Sequence, residues 1–486
     1  MLLRCLGVAV LGLTLARAVG VPFRASQGIW TPAKTSPALW LAPDQATSIT
    51  LNGANVADQL NLGSVGNSYA DEGAGFQPDY DTTTFSAPSV RYVGTDPNAL
   101  VYTGAAADWT LWRGTSSFEQ YWKVALAQVL VATRRFVATR SPGGTDSGFD
   151  FGDPGGTGGG LKTGRLARGG GNWITGAGGG RDTTPHLVRV RFDSGSAGNR
   201  RLRIWYDGII MTDVTGGTNP LPTTPIDPMT LGAFRSGAAT YIQPWDGWIG
   251  RGLGYFRVLT DGERQSVERY IDGSLGGPRL PLIDQPFDVD SGFSTASIGT
   301  AGSYAITGGE CVITNVAGAA RDLLVRQDSP LLVGANTGPL IIARVTSETL
   351  NNGYNVPGVG LCQDGNNLVL CEYSKNPATA TYTLRLLVRI GGASTFLINL
   401  AETSHPPPYT IALGLNNDGG GAIGARIYSD FDGAGLRYRG HADVTALFGT
   451  LGALDTAIST WPTCVSFASA GVTTATMGFD YMQAYV

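Results

Sequence analysis

At 486 residues the chain is too long for one ordinary hydrophobic core, so two domains of about 200–250 residues are expected. Hydrophobic residues make up 42% and charged residues only 15%, with 70 glycines; this excludes a disordered chain and suits a β-rich fold with many tight turns. The net charge of −4 provides no basic footprint for nucleic acid or an anionic membrane, and neither is expected as a partner.

The N-terminus, MLLRCLGVAVLGLTLARAVG, carries Arg4, an apolar run from Cys5 to Ala16 and an Ala16-Arg17-Ala18 end. It is too short and interrupted for a membrane span. Two readings stand for residues 1–30: an apolar anchor peptide docked on a partner, or a secretory signal cleaved near residue 18.

Short strands follow around Leu39-Trp40-Leu41 and Ile49-Thr50-Leu51, with an Asn52-Gly53 turn, then two apolar runs between Val90 and Tyr102. Phe118 to Val137 is strand material. Between Pro142 and Arg181 glycine dominates, and long turns and loops are expected, punctuated by Phe149, Phe151, Leu161 and Trp173-Ile174. LVRVRF (Leu187 to Phe192) and LRIWY (Leu202 to Tyr206) alternate apolar and polar residues, as strands with one wet face do. Asp207-Gly208 between LRIWY and IIMTD signals a tight hairpin.

The clearest single element is LGYFRVLTDGERQSVERYI, Leu253 to Ile271. Gly254 to Leu259 suits a half-buried strand. Thr260-Asp261-Gly262-Glu263 fits a capping box, in which the Thr260 hydroxyl and the Glu263 carboxylate each satisfy the other's backbone N–H. Val267, Tyr270 and Ile271 form one apolar stripe of the helix that follows. Gly273, Gly276 and Pro278 stop it.

The Gly/Pro-rich stretch after the helix places a linker at 277–285, separating a first domain, 31–276, from a second, 286–486. The second half is a series of short apolar runs, including Tyr304 to Ile306, Cys311 to Ile313, Leu340 to Val345, Gly360 to Cys371 and Tyr382 to Ile390, with turns at sandwich spacing. The fold class expected is all-β, two tandem sandwiches with one short helix closing the first.

Chemistry-bearing patterns are sparse. Five cysteines (Cys5, Cys311, Cys362, Cys371, Cys464) form no C-x-x-C pair and three histidines lie far from them, which argues against a zinc site. Cys362 and Cys371 flank an Asp364-Gly365-Asn366-Asn367 turn; either they meet across a hairpin as a disulfide or, the preferred reading, both are buried free thiols. A glycosidase needs two converging carboxylates. Asp71-Glu72 are adjacent and point apart, and Asp430-Phe431-Asp432 runs into a glycine turn, so no catalytic residue is assigned and no enzyme activity is expected. Asp430 and Asp432 offer oxygen ligands of the kind Ca²⁺ prefers, but solvated turn carboxylates are the simpler reading, and no cofactor or metal is assigned. The candidate ligand contacts are Trp245, Asp246 and Trp248: an exposed indole stacks on a sugar ring and an aspartate binds its hydroxyls, whereas core or rim packing is the competing role. Of 34 basic residues only Lys34, Lys123, Lys162 and Lys375 are lysines, a bias toward arginine that a GC-rich genome accounts for.

The order of landmarks in the first half resembles the concanavalin A-like lectin/glucanase superfamily in its laminin-G-like form. They are PALWL (Pro37 to Leu41), QPDY (Gln77 to Tyr80), YVGTDPNAL (Tyr92 to Leu100), LRIWYDGIIM (Leu202 to Met211) and the closing WIGRGLGYFRVLTDGERQSVERYI (Trp248 to Ile271). SDFDGAGLRYRGHADVT (Ser429 to Thr445) and FDYMQAYV (Phe479 to Val486) give the second half a similar likeness. The resemblance implies two concanavalin A-like jelly rolls and favours binding or structure over catalysis, since the glucanase motif does not occur. With the leader, the chain also resembles tailed-phage virion proteins: fibre, adsorption or capsid-decoration proteins. That likeness implies a virion location, other virion proteins as partners through the N-terminal peptide, host glycan as a possible ligand, and a homo-oligomer with a trimer favoured. The alternatives are a secreted bacterial glycan-binding or adhesin protein and, last, a polysaccharide hydrolase.

Overall fold

The computed structural model describes residues 31–85, 87–95, 98–113, 116–128, 134–139, 148–153, 164–168, 172–175, 183, 185–195, 199–216, 228–237, 240–272, 283–285, 287, 293–299, 302–315, 321–327, 339–419, 422–433, 435–448, 461–470 and 473–485. The segment 1–30 and the glycine runs around 154–163 and 176–182 therefore lie outside the described residues.

Strand alternation builds two sandwiches. In His186–Asp193, Val188, Val190 and Phe192 turn inward while Leu187, Arg189 and Arg191 turn out; in Arg200–Tyr206, Leu202, Ile204 and Tyr206 turn inward. The inward set meets Val56, Tyr69, Leu100, Phe136, Val137 and Phe149 of a second sheet, which gives the first core. In the second half Ile341, Ala343, Ile411, Leu413 and Phe479 of one sheet face Val359, Val369, Leu386 and Phe467 of the other. Both halves are all-β sandwiches. Two α-helices occur among the described residues, Asp261–Asp272 and the four-residue Thr445–Phe448.

The front sheets of the two halves have the same strand order. In the first, Leu39–Leu41 pairs with the last strand, Gly247–Tyr255, which continues through Phe118–Leu126, His186–Asp193 and Arg200–Tyr206 to Ile209–Gly216. In the second, Ile283–Gln285 pairs with the last strand, Ala475–Tyr485, which continues through Leu340–Thr349, Tyr409–Gly419 and Ala422–Asp430 to Arg437–Asp443. The two end strands then meet, in parallel, with Ile210 opposite Arg437 and the Ile210 N–H bonded to the Leu436 carbonyl at 2.6 Å. The two front-sheet edges thus touch at one end of each end strand. The outer face of the second front sheet adds Ile342, Ala412 and Tyr428 to the apolar cluster of the first half.

Several sequence expectations hold in detail. Asp207 and Gly208 both take positive φ, 47° and 83°, as a two-residue hairpin turn requires. Cys362 and Cys371 are buried thiols: Cys371 belongs to the main core of the second sandwich and Cys362 to a separate apolar cluster. Others need correction. Gly148–Asp153, Gly164–Arg168 and Asn172–Thr175 are strands that extend the back sheet through a region expected to be loop; Phe149 and Phe151 are anchored in the core. Ile283–Gln285, inside the expected linker 277–285, is the first strand of the second sandwich, since its partner strand lies two hundred residues on and sends no local signal. Strand structure at the first closing segment ends at Tyr255, not Leu259.

The helix Asp261–Asp272 lies on the outer face of the first front sheet. Val267 and Ile271 are fully buried against Tyr121, Leu187, Leu253 and Tyr255, and Tyr270 accepts the Trp40 indole N–H at 3.0 Å. Its capping box forms: Glu263 accepts the Thr260 N–H at 2.9 Å and the Thr260 hydroxyl accepts the Glu263 N–H at 3.4 Å. Arg257 grips the same carboxylate, and with the cap it holds the Glu263 pKa down to about 2. Beneath the helix, Glu119 is wholly buried and accepts from Arg189 at 2.9 Å, the Tyr121 hydroxyl at 2.9 Å and the Leu259 N–H at 3.0 Å.

Two outcomes follow. Glu119→Ala should cost about 3–5 kcal/mol in urea unfolding, because it strands the buried Arg189 cation. The Glu263 pKa is lower in the folded chain than the ordinary 4.5, so its contribution is complete above that pH and is lost as pH falls toward about 2. Glu263→Gln should flatten that part of the melting-temperature profile and leave the neutral-pH slope unchanged.

Candidate functional site

Of the residues singled out for ligand contact, two are enclosed. Trp245 is fully buried, packed edge-to-face on Phe136 at 5.5 Å, and offers no ring face to a ligand. Asp246 is 3% exposed and accepts from Gln128 at 2.6 Å, Arg91 at 2.9 Å and the Gly94 N–H at 3.3 Å. Burial by itself raises its pKa, but the Gln128 bond and the Arg91 and Arg134 charges hold it below the ordinary value. These contacts brace the Gly94 turn and the strands Ser89–Tyr92 and Arg134–Ala138 around the start of the closing strand. Trp248 is half-buried; its indole N–H donates to Asp81 at 2.7 Å, Arg91 sits 4.6 Å over its ring and Phe85 meets it edge-on at 5.2 Å. The structure therefore places Trp248 nearer the surface than Trp245, with Arg91 shared between its ring and the enclosed Asp246. Asp430 accepts the Gly435 N–H at 3.1 Å and Asp432 pairs with Arg437 at 2.9 Å, as turn carboxylates do. No group of three or more potential metal ligands occurs among the described residues.

A different site stands out. On the outer face of the first front sheet lies a groove of about 300 Å³. Its floor is Arg189 and Arg191 from one strand and Arg201, Arg203 and Trp205 from the next, all on the wet side of the alternation. One wall is the helix, through Arg264 and Glu268; another is Arg437 of the second sandwich, carried there by the edge pairing with Ile210. The sequence signal was the arginine at every second position of VRVRF and RRLRIWY, which marked a wet face without revealing what converges on it.

The guanidinium groups are oriented by carboxylates. Asp193 holds Arg191 at 2.8 Å and Arg203 at 2.5 Å; Asp213 takes a two-pronged bond from Arg201 and lies 3.7 Å from Arg437; Glu119 anchors Arg189. Arg189 also stacks 4.0 Å over the Trp205 ring, a cation–π contact. Glu268 stands 3.9 Å from Arg189 and 3.8 Å from Arg264, and burial raises its pKa in spite of both cations. The Nε–H groups of Arg189, Arg203 and Arg437 are buried and have no acceptor among the described residues.

A second, more open recess of about 370 Å³ adjoins on the second sandwich. His405 stacks on Phe431 at 4.3 Å there, Arg439 pairs with Glu402, and Arg437 lines this recess as well as the groove.

No protein-family model matches the sequence, and no curated protein matches it. Among solved structures, the fold is similar to the carbohydrate-binding module CBM66 from Bacillus subtilis, with 13% identity over 38% of this chain and 91% of that one and a TM-score of 0.25. It is similar to the CBM2 module of the evolved Dit of Lactobacillus casei BL23 phage J-1, with 11% identity, 42% and 96% coverage and a TM-score of 0.29. A legume lectin-like domain from Entamoeba histolytica is similar at 8% identity, 43% and 94% coverage and a TM-score of 0.30. Each likeness spans under half of this chain, and at these scores none carries an argument about what it binds.

Proposed function

We propose that the chain is a non-catalytic binding protein that presents two lectin-like sandwiches to a cell-surface glycan. The observation that carries this reading is the outer-face groove, with its fixed array of guanidinium donors and a wall supplied by each sandwich. Such a recess is a recognition surface: convergent polar groups on a rigid sheet, open to solvent. Its two lining carboxylates do not suggest a hydrolase. A glycosidase needs one free nucleophile or base and one proton donor flanking the bond, whereas Asp213 is gripped by Arg201 and Glu268 stands between two arginines.

The setting we propose is the outside of a tailed-phage particle, as a homo-oligomeric fibre, adsorption or decoration protein, a trimer by preference, with residues 1–30 docking it onto other virion proteins. This part rests on the landmark order from Pro37 to Ile271 and on the apolar leader. The Ala16-Arg17-Ala18 end favours a second reading, a secreted glycan-binding protein.

Deleting residues 1–30 should abolish incorporation into particles while leaving glycan binding by the purified chain intact. Wild-type incorporation of the truncated chain would refute docking. Mass spectrometry of the mature N-terminus separates the two settings: a start at Met1 or Leu2 fits the particle protein, and a start after Ala18 fits secretion.

A further inference from the structure

We infer that the groove takes an anionic polysaccharide, one bearing carboxylate or sulphate groups, and that the polymer runs across the junction of the two sandwiches. The inference deepens the glycan reading and rests on it.

Six arginines line the groove against two carboxylates, Asp213 and Glu268. Glu119 and Asp193, which pair with floor arginines on the same face, leave six against four. The remaining partners, Asp261 for Arg264 and Asp432 for Arg437, stand at the rim with side chains 83% and 57% exposed. With those two acids the cluster is balanced, but pairs that exposed are weak and screened, so an incoming anion can displace Asp261 and Asp432 and meet Arg264 and Arg437.

Donor geometry points the same way. A guanidinium presents five N–H groups in a planar fork that matches an oxyanion with two acceptor atoms. Three of the groove's arginines retain a buried Nε–H with no acceptor among the described residues. Those Nε–H groups are shielded, so an arriving carboxylate or sulphate meets the outer Nη–H groups of Arg191, Arg201 and Arg437, whose side chains are 26%, 39% and 31% exposed. A neutral hydroxyl matches them less well. The stack of Arg189 on Trp205 holds the floor cation in place before any ligand arrives.

The length of the occupant follows from Arg437. That residue lines both the groove on the first sandwich and the open recess on the second, where His405 and Phe431 present a stacked pair of rings. A chain of sugars can occupy both recesses at once, but a single sugar cannot. A nucleic-acid duplex carries about one charge per 1.7 Å of axis, denser than an acidic polysaccharide with about one or two charges per sugar, so the carboxylates among the arginines and the overall charge of −4 count more heavily against it. The polysaccharide is the occupant the site favours.

The test is fluorescence anisotropy with the full chain and four labelled probes: an oligogalacturonate, a sulphated dextran oligomer, a neutral dextran oligomer of equal length and a single-stranded oligonucleotide. Binding of either acidic sugar, weakened by salt and absent for neutral dextran, is expected; which of the two binds identifies the anion. Arg203→Ala, which leaves Asp193 its partner Arg191, and Arg264→Ala, on the helix outside the strand ladder, should each weaken binding about 10-fold or more. Arg344→Ala, a surface residue paired with Asp480 away from the groove, should leave it unchanged. Neutral dextran bound as well as the acidic probes, or acidic probes indifferent to both groove variants in chains with unaltered melting, would overturn the groove assignment and leave the glycan reading standing. Tight oligonucleotide binding lost in the same variants would overturn the choice of occupant. Binding of no sugar probe at all would overturn both readings.

Discussion

The buried carboxylate of Glu119 is the contact on which the site depends. It occupies an outward-facing position of a central strand, where water would ordinarily solvate it, but the helix Asp261–Asp272 has closed over that place. Removing a carboxylate from water is expensive, and the arrangement is stable because three donors replace the water: Arg189, the Tyr121 hydroxyl and the Leu259 N–H. Tyr121 lies two residues along the same strand, whereas Arg189 and Leu259 come from a neighbouring strand and the approach to the helix, so one anion ties these three elements together. Leu259 leads directly into the cap of the helix, Tyr121 belongs to the helix-bearing cluster, and Arg189 is the groove floor. The position of the recognition surface is thereby tied to the fold marker that closes the first sandwich.

The same logic extends outward along the sheet. Arginine side chains on neighbouring strands repel one another unless acids are interleaved, and Asp193, at the end of its strand, and Asp213, in the next-but-one strand opposite Arg203, supply them. The result is an array whose geometry is set before a ligand binds, which lowers the ordering cost of recognition. The arginine bias of the whole chain has a genomic explanation, but the placement of these arginines at alternate positions of one sheet face has a structural one.

What could be read in advance divides by the range of the interaction. The capping box, the Asp207-Gly208 hairpin and the Val267–Ile271 stripe are contacts within a few residues, and each is found where local chemistry put it. Failures occur where partners are distant. Trp245 and Trp248 look alike in sequence, one residue either side of a tight Asp-Gly pair, yet one is sealed in the core and the other lies at the rim. Ile283–Gln285 is a strand only because residues 482–484 lie beside it. The strands of the glycine-rich region survive their poor propensity because the back sheet supplies a partner and Phe149 and Phe151 supply burial. The groove could be half read: alternating arginines announced a wet face, but its walls come from a helix sixty residues on and from a strand in the other sandwich.

That last wall makes recognition conditional on how the halves meet. Equivalent edge strands of two sheets with the same order are joined by a short parallel pairing at Ile210 and Arg437, and the apolar residues Ile342, Ala412 and Tyr428 add area behind it. Parallel pairing over so short a stretch contributes few hydrogen bonds, so the buried apolar surface carries most of the attachment. Arg437 then holds Asp432 on its own side and faces Asp213 across the junction. An anion lodged between Arg437 and the floor arginines would neutralise cations belonging to both sandwiches and so draw them together. Ligand binding and the docking of the two halves are, on this geometry, one linked equilibrium: a ligand that binds only the joined form stabilises the join by the same free energy with which the join improves its affinity.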